Sequence, residues 1–110
     1  MAKAKAKIIT LLRQYLKEAE KVCHVDKAVL FGSYAHGKAK KQSDIDIAIF
    51  SKNVNDANRL ETMSRLIMLI DKFKMDIQPI VFSYEDYLKG DNDFISNEIK
   101  KRGLEISCKI

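Results

Sequence analysis

Two aspartates, Asp44 and Asp46, are separated by a single isoleucine in a run of alternating residue types. Side chains two residues apart on an extended strand point to the same face, so both carboxylates lie opposite the neighbouring isoleucines, Ile45, Ile47 and Ile49. At a separation of about 6 to 7 Å, two such charges repel by roughly 2 to 3 kcal/mol at an effective dielectric constant near 20. A bound cation would relieve this repulsion, so the pair predicts a metal site on a strand face.

A glycine–serine pair, Gly32-Ser33, follows the apolar run 28–31, and ten residues separate it from Asp44. Glycine lets the backbone approach a phosphate closely, the serine hydroxyl adds a donor, and a short helix after it would aim further N–H groups at the same anion. We therefore expect Gly32 and Ser33 to hold phosphate, with the two carboxylates facing them across a bound nucleotide.

A phosphate loop facing two carboxylates suits phosphoryl or nucleotidyl transfer, which requires a held triphosphate and two divalent ions about 3.5 to 4 Å apart. Magnesium prefers oxygen ligands and takes one or two protein carboxylates beside the substrate phosphates. A third carboxylate is expected on a neighbouring strand, and Asp76, which shares a face with Gln78, begins a suitable apolar run. The sequence thus predicts that Asp44, Asp46 and Asp76 are both catalytic and metal-binding.

The elements that must position these residues follow from hydrophobic periodicity and from turn residues. Pro79 has no N–H to donate, which predicts that this part of the third strand is an edge or an irregular segment. The pattern indicates an α/β (α+β) fold with a small mixed sheet flanked by helices, in one domain over residues 1–110. The predicted helices cover 4–23, 56–73, a short segment opening at 83, and 91–102. The predicted strands cover 27–31, 44–50 and 75–82, and residues 104–106 are either a short strand or a segment that packs back on the core.

Composition narrows the class of protein. The chain has 110 residues, 46% of them hydrophobic, which is enough for one modest core. Its net charge of +5 is too mild to indicate a specific nucleic-acid partner.

Cys23 and Cys108 lack the spacing of a zinc site and are expected to be free thiols. Without a long apolar run or a signal-peptide core, we expect a cytoplasmic protein with no membrane partner.

The segments Gly32-Ser-Tyr-Ala-His-Gly37 and Ser43-Asp-Ile-Asp-Ile-Ala-Ile49 resemble the signature of the DNA polymerase β nucleotidyltransferase superfamily. The resemblance covers residues 28–106 and extends to the minimal nucleotidyltransferase (MNT) members, many of which are antitoxins paired with HEPN-domain toxins. It implies a polymerase-β-like fold, Mg²⁺ on the matched aspartates, ATP as the donor, and Asp76 as the carboxylate that activates the attacking hydroxyl. In one departure, His36 stands where close relatives commonly have arginine. An imidazole with an ordinary pKa of about 6.5 therefore replaces a permanent cation.

Three hypotheses for function follow. The first is Mg²⁺-dependent transfer of AMP from ATP to a hydroxyl on a partner protein, such that an antitoxin adenylylates and silences a HEPN-type toxin; the short chain leaves little surface for an acceptor pocket of its own. The second is a catalytically weak or inactive antitoxin that neutralises the toxin by binding. The third, a nucleotidyltransferase of the aminoglycoside-modifying type, is disfavoured because no acceptor domain is evident. The acceptor residue, the base preference and the oligomeric state stay open.

Overall fold

The main helices and strands follow one another along the chain in the predicted order. The computed structural model describes residues 2–35, 44–73 and 76–106, with only the backbone described for residues 2–5 and Ser33. The elements are α1 (Ala2–Ala19), β1 (Lys27–Phe31), a 3₁₀ turn (Gly32–Tyr34), β2 (Ile45–Ser51), α2 (Arg59–Met68) continued by a 3₁₀ segment (Leu69–Lys72), β3 (Ile77–Ser83), α3 (Tyr84–Lys89), a π-helix (Ile95–Lys101) and β4 (Leu104–Ile106).

The four strands form one mixed sheet in the order β3-β2-β1-β4. β1 runs antiparallel to both β2 and β4, whereas β2 and β3 are parallel. Parallel neighbours need a crossover connection, and α2 supplies it. The predicted mixed sheet is therefore confirmed, and β3 is an edge strand, one of the two alternatives that Pro79 indicated.

Each face of the sheet carries its own apolar core, and β2 contributes to both because its side chains alternate. On one face, Ile45, Ile47 and Ile49 pack with side chains of α1 and α2. On the other face, Ala48 and Phe50 pack with side chains of β1, β3 and the π-helix. This second core contains Val29, Ala48, Phe50, Phe82, Ile95 and Ile99. Helices thus cover both faces of the sheet, as the sequence predicted.

The ends of two helices, and the winding of a third, differ from what the periodicity predicted. α1 stops at Ala19, because the Glu20 carboxylate accepts the Val25 N–H at 2.8 Å and turns the chain toward β1. α2 starts at Arg59, because the Asn55 side chain accepts the N–H groups of the two residues before it in a local turn. The last helix is π-helical rather than α-helical over most of its length.

Two smaller predictions concern the thiols and the membrane. Cys23 is a buried free cysteine, and burial raises the pKa of its thiol. Cys108 lies outside the described residues. Among the helices that the structure describes, none is long and apolar enough to cross a bilayer.

Candidate active site

Gly32 brings the glycine–serine loop directly against Asp46. Its φ angle is +74°, in the left-handed region that residues with a Cβ rarely adopt. A Cβ at this position would also collide with the Asp46 carboxylate. Both the backbone conformation and the close approach therefore require glycine. The two motifs that the sequence singled out, separated along the chain, are therefore in contact in the fold.

The predicted helical turn after Gly32 is present as the single 3₁₀ turn that ends at Tyr34, where the Ala35 N–H donates to the Gly32 carbonyl at 3.1 Å. The backbone of Ser33 lies in this turn. His36 lies outside the described residues. The phosphate-binding roles of Gly32 and Ser33 remain predictions.

Asp44 and Asp46 lie at the start of β2, with Asp44 exposed just before the strand and Asp46 half-buried within it. Burial raises the pKa of the Asp46 carboxyl, and the negative charge of Asp44 raises it further. Within the described residues, neither side chain has a hydrogen-bond or ion-pair partner. The predicted mutual repulsion is therefore present in the fold, and no described protein cation offsets it.

Asp76 lies beside this pair, immediately before the neighbouring parallel strand β3. Its carbonyl oxygen accepts the Ile45 N–H at 2.7 Å, and the register continues with Ile45 opposite Ile77 and Asp46 opposite Gln78. Asp76 is thus at the same edge of the sheet as the Asp44–Asp46 pair, as its predicted role requires. Its side chain is exposed. In the parts of the chain that are described, no three His, Cys, Asp or Glu side chains are grouped closely enough to hold a metal ion. The three carboxylates are neighbours, not a preassembled set of ligands.

The donors at this edge of the sheet nevertheless suit a hard divalent cation. They are carboxylate oxygens, which Mg²⁺ prefers, and it completes its shell with water and substrate phosphates rather than with a protein cage. Burial and the charge of Asp44 raise the pKa of Asp46, so the fold disfavours its ionised form. A divalent cation beside Asp46 and Asp44 would stabilise that form.

Two residues near the pair were not assigned a role from sequence. Gln78 is exposed opposite Asp46, and its only sequence signal was the face it shares with Asp76. Phe31 is the antiparallel partner of Asp46 in β1 and is half-buried. No sequence signal marked Phe31, because it reads as the last apolar residue of a strand.

Comparison with known proteins agrees with this geometry. Residues 7–109 match the family described as Polymerase beta, Nucleotidyltransferase. The chain is also 27% identical, over 105 residues, to a protein of Methanocaldococcus jannaschii provisionally named a protein adenylyltransferase. That match covers 90% of this chain and 98% of the relative.

Solved structures share the fold. A provisionally assigned nucleotidyltransferase from Sulfolobus solfataricus superposes with a TM-score of 0.63 at 19% identity, covering 94% of this chain and 83% of that one. A toxin–antitoxin complex with AMP-PNP superposes with a TM-score of 0.53 at 24% identity, covering 96% of this chain and 73% of that one. The match to the sequence family spans nearly the whole chain, and the predicted superfamily is confirmed: the chain belongs to the polymerase β nucleotidyltransferase family.

Proposed function

We propose that this chain transfers AMP from ATP, with Mg²⁺, to a hydroxyl group on a partner protein. The observation that carries the proposal is the contact between Gly32 and the Asp46 carboxylate, which puts the predicted phosphate-binding loop beside two acids that have no cationic partner among the described residues. Family membership supports nucleotidyl transfer as the reaction. The relative named a protein adenylyltransferase, matched over 98% of its length, supports a protein as the acceptor.

The proposed chemistry divides among the named residues. Asp44 and Asp46 would hold Mg²⁺, with Asp76 contributing from the position just before β3, and the bound ion would neutralise charge on the triphosphate. Gly32 and Ser33 would bind phosphate oxygens. The acceptor oxygen forms a bond to the α-phosphorus, the bond from that phosphorus to the bridging oxygen breaks, and pyrophosphate leaves. The Asp76 carboxylate takes the hydroxyl proton.

The first partner to test is a HEPN-domain toxin, silenced by the modification. This choice rests on the resemblance carried by the Gly-Ser and Asp-Ile-Asp segments. A toxin–antitoxin complex with AMP-PNP is among the structures that share the fold, and this agrees with the choice.

Two labelled forms of ATP test the reaction. With ³²P on the α-phosphate, the partner protein should become labelled, because that phosphorus stays on the acceptor; with ³²P on the γ-phosphate it should stay unlabelled, because the γ-phosphate leaves in pyrophosphate. Labelling from both forms or from neither contradicts AMP transfer. The double variant Asp44→Asn/Asp46→Asn is the control and should abolish labelling.

A second candidate function is neutralisation of the toxin by contact alone. His36, in place of the arginine common in close relatives, favours it because a neutral imidazole attracts triphosphate less than a permanent cation does. On this reading the double aspartate variant would still bind the toxin and still protect cells. Calorimetry with MgATP separates the candidates, since a vestigial site should show little affinity for the nucleotide.

A further inference from the structure

Phe94 is a large apolar side chain that the fold leaves 39% exposed. Its ring stands nearly perpendicular to that of Phe31, with centroids 5.5 Å apart, and is tilted against that of Phe82, at 6.3 Å. One part of the ring is therefore supported by aromatic neighbours, and the remainder faces solvent.

The two neighbours locate Phe94 relative to the acids. Phe31 belongs to β1 and is the register partner of Asp46, whereas Phe82 belongs to β3. These strands flank β2 on either side, so a ring that contacts both phenylalanines lies across β2, on the sheet face that also carries Asp46. Antiparallel partners have Cα atoms about 5 Å apart, so with the ring spacing Phe94 lies on the order of 10 Å from Asp46, within the span of a nucleotide.

The segment that carries Phe94 is held in place. The Asn92 side chain accepts the Ile95 N–H at 3.1 Å, and the Ser96 hydroxyl donates to the Gly90 carbonyl at 3.2 Å. Ile95, the next residue, is fully buried in the second core. The exposed ring is thus presented at a fixed position, which lowers the entropic cost of stacking a flat ligand on it.

We propose that Phe94 stacks on the purine base of the nucleotide whose phosphates lie at Gly32, Asp44 and Asp46. This inference rests on the proposed function and adds the subsite for the base. Stacking on an aromatic ring uses the π-face of the base and not its hydrogen-bonding edge. Phe94 therefore contributes affinity for ATP without contributing to the transfer of AMP itself.

Replacing Phe94 with leucine should weaken binding of MgATP by about ten- to a hundredfold, the usual range for loss of one stacked base. Calorimetry measures this loss directly, and kinetics should show it as a higher KM with kcat little changed. Leu60→Ala is the matched control, because Leu60 is 78% exposed on α2, which covers the opposite face of the sheet. It should bind MgATP as the wild-type chain does.

A tryptophan reporter tests the same subsite by a second readout. The chain has no tryptophan, so Phe94→Trp introduces a single tryptophan, whose emission should be quenched by MgATP and not by magnesium tripolyphosphate, which lacks a base. Equal quenching by both ligands, or MgATP binding by Phe94→Leu as tight as by wild type, would overturn the base subsite and leave AMP transfer standing. If wild type itself binds no MgATP, the proposed function and this inference both fail.

Discussion

At the scale of single residues, the site depends on Gly32 having no side chain. We expect Gly32→Ala to destabilise the fold by about 2 to 4 kcal/mol, from a left-handed backbone costing about 1 to 2 kcal/mol and from displacement of the Asp46 carboxylate. AMP transfer should fall with it, because the loop and the acid separate. Urea denaturation and the transfer assay measure the two effects.

Gly90→Ala is the matched control for this substitution. Gly90 has nearly the same φ, +71°, but a Cβ there would meet only the end of the flexible Lys100 side chain, at 3.8 Å. It should cost only the backbone strain of about 1 to 2 kcal/mol and leave activity intact. Equal losses of stability and activity in the two variants would show that the Gly32–Asp46 contact has no special role.

Asp46 should lower the stability of the fold while it supports activity. Its pKa is raised in the fold, so ionisation of Asp46 destabilises the folded chain. This destabilisation is absent below the pKa of about 3.9 in the unfolded chain and is complete above the pKa in the folded chain. In the absence of divalent ions, Asp46→Asn should therefore raise the melting temperature at neutral pH, and this gain should vanish in acid. Activity should fall by at least about a hundredfold, because the proposed metal loses a charged ligand.

Asp71→Asn serves as the comparison, since Asp71 is exposed on the 3₁₀ segment after α2. It should change neither the melting temperature nor activity appreciably. A lower melting temperature for Asp46→Asn than for wild type at neutral pH would contradict the account of Asp46 as an uncompensated acid.

The sequence predicted those properties of these residues that depend only on neighbouring positions in the chain. Alternation along one strand correctly placed the isoleucines of β2 in a core with Asp46 on the other face. The contact of Gly32 with Asp46 and the position of Phe94 over β2 were not predictable, because both depend on how β1, β2 and the last helix are arranged in three dimensions.

At the scale of elements, hydrophobic periodicity located the long helices and the first three strands, and side-chain hydrogen bonds decided where α1 ends and α2 begins. Residues 104–106, which the sequence left open, form β4, and β3 is an edge strand, one of the two alternatives that Pro79 indicated. Ser83 caps α3 by accepting the Asp86 N–H at 3.1 Å, as its sequence pattern predicted. The π-helical winding of Ile95–Lys101 was missed, since the apolar spacing there is equally consistent with an α-helix.

One hydrogen bond joins the two helices on the first face of the sheet. The buried Tyr15 hydroxyl on α1 donates to the Leu66 carbonyl of α2 at 2.7 Å. We expect Tyr15→Phe to lower the free energy of unfolding by about 0.5 to 1.5 kcal/mol, because that carbonyl keeps a second donor, the Leu69 N–H. Urea denaturation measures the loss, and AMP transfer should be unchanged.

Thr10→Val is the control for the lost hydroxyl, since the Thr10 hydroxyl donates to the Ala6 carbonyl at 3.0 Å on the exposed side of α1. Water can replace that bond, so the change should be close to zero. If the two variants lose the same stability, the link between α1 and α2 contributes nothing beyond a surface hydrogen bond.

At the scale of the whole molecule, the order of the strands creates the site. β2 lies between β1 and β3, so the loop after β1, the acids of β2 and Asp76 before β3 meet at one edge of the sheet. The sequence predicted a mixed sheet and a third carboxylate on a neighbour of β2. It did not determine the strand order, because the hydrophobic pattern indicates which face of the sheet a side chain points to and not which strand lies next to it.

The most direct test of the central claim is the intact mass of a purified HEPN-domain partner after incubation with this chain, ATP and Mg²⁺. We predict that the partner gains the mass of at least one AMP, and that the gain is lost with Asp44→Asn/Asp46→Asn although the variant still folds. A partner whose mass is unchanged by the wild-type chain would contradict AMP transfer to the toxin.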